Sequence, residues 1–251
     1  MTDLGYMVRQ DWAQRGTAMR ESSDRIAQWL GDSRLVFVVG KPERFDDPDR
    51  SADRETAIHI GRTANPRPVV SFDDLARLSE RGDAGDIAAI ALHPVGKPDC
   101  DKLREAVEAG RLGLVFVQVW ARTDSVRAWL EGRGATDLHA GDAVPQLDPL
   151  RVAACGLMVD EEYNGLAAGR GKDAVVQLLR AMAAEGDPLD ADEWIRCYFA
   201  AGGSFGEADA VARFAREVRE GKRHRVSPRY HREIVGVLRE QICARTNDQP
   251  E

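Results

Sequence analysis

The chain has 251 residues, of which 43% are hydrophobic and 6% aromatic, and its formal net charge is −7. That is enough for one large or two modest domains with a real core, and it excludes global disorder. The acidic balance speaks against a chain-wide nucleic-acid or membrane-surface binder, while a local basic patch stays compatible with it.

Five of the 35 basic residues are lysine (Lys41, Lys97, Lys102, Lys172 and Lys222) and the rest arginine. With abundant Ala, Gly and Asp, this reads as the codon bias of a GC-rich bacterial genome, so the arginine excess is no sign of phosphate binding. Cys100, Cys155, Cys197 and Cys243 lie more than 40 residues apart, with no CxxC and no histidine pair at ligand spacing, and no metal site is expected. The N-terminus mixes charges with apolar residues and does not read as a signal peptide. Apolar stretches such as "IAAIAL" and "LVFVV" fall far below the roughly 18 residues of a membrane span, so a soluble, cytoplasmic protein is expected.

In chain order, residues 5–30 read as a helix on Ile26, Trp29 and Leu30, stopped by Gly31. "RLVFVVG" (34–40) reads as a buried strand. "KPERFDDPDRSADRE" (41–55), with six acids, three arginines and two prolines, reads as a solvated loop. "AIHIG" (57–61) and "PVVSF" (68–72) read as short strands flanking a turn. Ser71 with Asp74 resembles a capping box that opens a helix. "DIAAIALHP" is a second buried strand, "CDKLREAVEAGR" a helix ended by Gly110, and "LGLVFVQVW" a third strand. "TDSVRAWLEGRG" is a helix capped by Thr123 and stopped by Gly132, and "RVAACGLMV" (151–159) is a further strand.

Alternating strands and helices build a parallel sheet covered on both faces. The fold class expected is therefore α/β, a three-layer, Rossmann-like region over residues 1–160 preceded by an N-terminal helix. From Gly171 the apolar period becomes 3.6, predicting a helical domain or cap over 161–251. Its four helices carry Val175–Leu178–Leu179–Met182, Trp194–Ile195–Tyr198–Phe199, Val211–Phe214–Ala215–Val218, and Ile234–Val235–Leu238–Ile242. Ser204 and Glu207 form a capping box at the third, and the fourth starts near Arg229.

Three places invite chemistry. "EEYNGLAAGRGKDAVVQLL" (161–179) sets glycines, Arg170 and Lys172 ahead of an apolar helix. It is not a Walker A loop: five residues separate Gly165 from Gly171-Lys172, and Asp173 stands where a hydroxyl is required. An anion held by the helix start with Arg170 and Lys172 stays open beside the plainer reading, an Asn-Gly turn leading into a helix.

The second place is the C-terminal edge of the sheet, where ligands of open parallel sheets bind. "GKPERF" and "HPVGKPDC" each put a glycine and a lysine just after a strand. Lys41, His93 and Lys97 are therefore candidates to hold a small anion, with His93 able to act as acid or base. There is no GxGxxG for a dinucleotide and no GxSxG for a serine hydrolase, and no motif names a cofactor. Asp160, Glu161 and Glu162 read as acids at a strand end, His59 as a strand residue facing a polar surface, and His139 as a loop residue.

The third is the tract from Arg213 to Arg232, with eight Lys/Arg against two acids. It reads as a solvated helix face, as a grip on an acidic partner or on the chain's own 43–55 loop, or as a nucleic-acid track, using Arg219, Lys222, Arg223 and Arg225. Two functions from different classes follow. One is a small anionic ligand, a nucleotide or phosphorylated metabolite, bound by Lys41, His93, Lys97, Arg170 and Lys172. The other is a non-enzymatic interaction module using the basic C-terminal region.

Overall fold

The computed structural model describes residues 2–9, 18–47, 51–78, 87–94, 96–110, 112–140 and 146–247. The chain divides into two compact units, Met1–Val144 and Pro145–Glu251.

The first unit is built on a six-stranded, all-parallel sheet in the order β3-β2-β4-β5-β1-β6. Its strands are β1 (Asp3–Val8), β2 (Arg34–Val39), β3 (Val69–Ser71), β4 (Ile87–Leu92), β5 (Leu114–Val119) and β6 (Thr136–Asp137). The helices are α1 (Ala18–Leu30), α2 (Ser51–Gly61), the single turn α3 (Leu75–Leu78), α4 (Lys97–Glu108) and α5 (Ser125–Gly132). Every residue of β4 is buried, as befits a central strand covered on both faces. On one face Met7, Phe37, Val39, Ile90, Leu92 and Phe116 form a core with Ile26 and Leu30 of α1 and Ala57 and Ile60 of α2. The α/β, Rossmann-like class read from the sequence is the architecture observed.

Two expectations for this unit are corrected. Residues 3–8 are β1, inserted between β5 and β6, where a helix over 5–30 was expected; Arg9 is already helical, residues 10–17 lie outside the described part, and Ala18–Leu30 is helical as expected. The physical reason is the apolar run Leu4–Val8, five residues buried in a row, which gains more from two covered faces than from one helical stripe. "AIHIG" is the last turn of α2 and not a strand. Ala57 and Ile60 face the sheet at helical spacing while His59 is exposed, so the Ile58–His59–Ile60 alternation is a coincidence of two periods. Much of the expected 41–55 loop is likewise ordered, as a 3-10 turn over Pro42–Arg44 and the start of α2.

The second unit holds α6 (Pro149–Val159), α7 (Gly169–Ala184), α8 (Ala191–Ala200), α9 (Phe205–Arg219) and α10 (Ile234–Asn247). "RVAACGLMV" belongs to α6, correcting the strand expected there. Asp148 caps it by accepting from the Leu150 N–H at 2.9 Å, and Pro149 fills the first turn, where no N–H is needed. Only Ala154, Cys155 and Met158 are fully buried, a one-sided stripe. With this helix on its side, the second unit starts at Pro145, earlier than the expected division at 160. The α7, α8 and α9 stripes pack together through Val175, Leu179, Trp194, Tyr198 and Phe214, all buried. At the start of α9 the expected Ser204–Glu207 box does not form. Glu207 accepts from the Leu166 N–H at 2.7 Å, and the Ser204 N–H goes to Glu162 at 3.0 Å, so long-range partners replace the local pair. The fourth predicted helix starts at Ile234 and not near Arg229. Among the described residues no helix is long and apolar enough to cross a membrane.

Candidate functional site

Sheet topology opens a crevice between β2 and β4. From β2 the chain moves outward to β3, whereas from β4 it moves the other way to β5. Right-handed crossovers then put α2 and α4 on opposite faces, so the carboxyl ends of β2 and β4 diverge into a gap between their outgoing loops. A cleft of about 280 Å³ lies there, with Gly40, Lys41, Arg44, Asp53, His93 and Asp99 among its lining. Lys41 and Arg44 come from the loop and 3-10 turn after β2, Asp53 from the first turn of α2, and Asp99 from the first turn of α4.

His93, directly after β4, is the most constrained group in it. Its N–H extends the sheet by one bond to the Gln118 carbonyl at 3.0 Å, and its backbone sits in the left-handed region at φ 46°. The side chain is 6% exposed; Nδ1 is hydrogen-bonded to the Asp53 carboxylate, and Nε2 is buried without a hydrogen-bond partner among the described residues. A carboxylate on Nδ1 fixes the tautomer with its proton there and leaves the Nε2 lone pair as a base. A buried polar group without a partner costs about 1–3 kcal/mol, and a left-handed non-glycine residue a similar amount.

The neighbouring strand ends continue the polar edge. Trp120 follows β5, its ring edge-on to His93 at 5.1 Å between centroids, and remains 52% exposed. Arg9 follows β1 and lies 5.6 Å over the Trp120 ring. Its guanidinium donates to Thr56 Oγ1 at 2.6 Å and to the Ala52 carbonyl at 3.2 Å, tying the end of β1 to α2. Asp99 lies close to the backbone on the other side: a Cβ on Gly40 would meet its Oδ2 at 3.3 Å. Burial pushes the Asp99 carboxyl up, Lys102 opposing.

Of the residues singled out in the sequence, Lys41 and His93 come together in this cleft. Lys97 is the exposed first residue of α4 and is not among the cleft's lining. Arg170 and Lys172 belong to the second unit, in the first turn of α7. There Gly171 meets a packing need: a Cβ at that position would stand 2.3 Å from the Gly165 carbonyl oxygen. Asp173 accepts from the Ser227 N–H at 3.1 Å. The glycine-rich stretch thus starts a helix packed closely on its own approach. Asp53, Arg44, Asp99 and Arg9 were missed in the sequence, and Trp120 was placed at a strand end but given no role. Asp53 and Arg44 sat in an apparent loop, and Arg9 within the stretch read as helix from residue 5.

Other candidates are absorbed by structure. Glu161 pairs with Arg229 and accepts from Asn164 at 2.8 Å; Glu162 accepts from Tyr198 and Ser204. They follow a helix, not a strand. In the basic tract Lys222 pairs with Glu217, and His224 lies 3.3 Å from the same carboxylate. Arg219, Arg223 and Arg225 are exposed and make no ion pair among the described residues. Burial raises the thiols of Cys100, to about 12, and Cys197, to about 11, away from any thiolate nucleophile. Among the described residues no three His, Cys, Asp or Glu side chains are grouped to hold a metal ion. Comparison with known proteins finds no matching family, no matching curated protein and no matching solved structure.

Proposed function

We propose that the first unit binds a small anionic ligand in the cleft between β2 and β4 and can move a proton on it. The observation that carries this reading is His93, buried against Asp53 with its Nε2 unpartnered at the switch point of the sheet. Lys41 and Arg44 supply positive charge from one wall. The Asp53–His93 pair supplies a base of fixed orientation from the other. Asp99, whose carboxyl is pushed above its ordinary value by burial, stands in the same lining. Titration calorimetry with inorganic phosphate, pyrophosphate and a sugar phosphate tests the reading. Binding that weakens about tenfold or more in both Lys41→Ala and His93→Gln supports it. Absence of binding to all three, or indifference to both changes, sinks it.

A second reading rests on Arg219, Arg223 and Arg225, which stand exposed on the second unit and make no ion pair among the described residues. They would grip an acidic protein segment. A polyglutamate peptide should then bind with steep salt dependence, lost in the Arg223→Ala/Arg225→Ala double variant. Tighter binding to a DNA duplex than to the peptide would redirect the assignment to nucleic acid.

A further inference from the structure

We infer that the ligand of the cleft is a mononucleotide, its phosphate held by Lys41 and Arg44 and its base stacked on Trp120. The inference rests on the anion-binding reading and adds a ligand class to it. Trp120 is half exposed, although burying an indole is among the largest stabilisations a side chain offers, and Trp129 and Trp194 are fully buried. The ring is held, not loose: His93 packs edge-on against it, and Arg9, itself anchored to Thr56 and Ala52, lies over it. A fixed aromatic plate left open to solvent, beside a cleft with Lys41 and Arg44 on one wall, is how a base is received without reading its edges.

The spacing agrees with that ligand. β4 lies between β2 and β5, so Trp120 and the loop after β2 are about two strand spacings apart, ~10 Å, with His93 midway. Inorganic phosphate would leave the Trp120 end of that span empty. A nucleoside monophosphate reaches from one end to the other and brings its ribose past His93, whose Nε2 lacks the partner a sugar hydroxyl provides. The cleft volume of about 280 Å³ is at the small end for ligand sites, which suits a phosphate with its sugar but not a dinucleotide. Base stacking tolerates any base, so the ligand is fixed by class and not by base.

Titration calorimetry on the full chain distinguishes the possibilities, with AMP, GMP, CMP, UMP and ribose 5-phosphate as probes. At least one nucleotide is expected to bind roughly ten to a hundred times more tightly than ribose 5-phosphate. Trp120→Ala should bring that nucleotide down to the ribose 5-phosphate level and leave ribose 5-phosphate itself unchanged, while Trp120→Phe keeps most of the gain. Equal affinity for nucleotides and ribose 5-phosphate would overturn the inference and leave the anion cleft standing. So would a Trp120→Ala variant that weakens both equally. Failure of every probe to bind overturns the inference together with the reading beneath it.

Discussion

His93 carries two costs that folding alone does not reward, a left-handed backbone and a buried nitrogen with no partner. Replacing it should therefore help the fold while harming the site. His93→Asn keeps a residue that tolerates the left-handed region and removes the ring. The expected result is an unchanged or raised melting temperature with loss of phosphate binding, measured by thermal unfolding and calorimetry on one preparation. A fall of several degrees would mean that His93 is there to hold the fold. Asp53→Ala should weaken binding in turn, because the imidazole loses the carboxylate that fixes its tautomer. Lys41 and His93 were legible in the sequence because residues just after apolar strands fall at a sheet edge whatever the strand order. Asp53 and Arg9 were not. Their importance comes from α2 folding over the strand ends and from residues 3–8 joining the sheet as a strand, both consequences of tertiary packing.

At the scale of elements, short apolar runs were the points of failure. "RVAACGLMV" and "AIHIG" contain too few residues for periodicity to separate strand from helix, and the deciding facts were the Asp148 cap and the Ala57–Ile60 contact with the sheet. Longer stripes such as Val175–Leu178–Leu179–Met182 were legible and are buried as expected. The Ser204–Glu207 pair shows the converse: local capping chemistry was plausible, yet both groups found distant partners. Gly171 yields a stability prediction. Gly171→Ala drives a methyl into the Gly165 carbonyl and should cost about 1–3 kcal/mol or more, lowering the melting temperature of the second unit by several degrees. A neutral substitution would show that α7 does not sit so close to residue 165.

The Glu161–Arg229 pair ties the segment before α10 to the end of α6 and makes a pH prediction. Arg229, then Asn164, hold the Glu161 carboxyl below its ordinary value. Its folded form thus binds fewer protons than the unfolded chain between the lowered value and about 4.5, so this contribution is complete above about 4.5 and fades as pH falls through the lowered value. Arg229→Met should lower thermal stability at neutral pH, with the gap to the parent protein narrowing below pH 4. A gap constant from pH 7 to pH 3 would rule out the ion pair as its cause.

For the whole molecule, the α/β class followed from the alternation of buried runs and helices, whereas strand order did not. Nothing in "DLGYMV" says that it pairs with β5, 111 residues away, and that pairing is what places Arg9 beside Trp120. Each unit has its own buried core, so Pro145–Glu251 produced alone should show helical circular dichroism and a single cooperative melt. A molten, non-cooperative fragment would mean that the second core is incomplete without the first unit.

The central claim is that an anion meets His93 in the cleft between β2 and β4. Nitrogen-15 NMR of the five histidine rings during a phosphate titration tests it most directly, with His93→Asn assigning the signal. The account predicts a saturable shift of the His93 Nε2 resonance, with His59 and His231 unmoved. Phosphate binding that leaves His93 unmoved, or no binding at all, would contradict it.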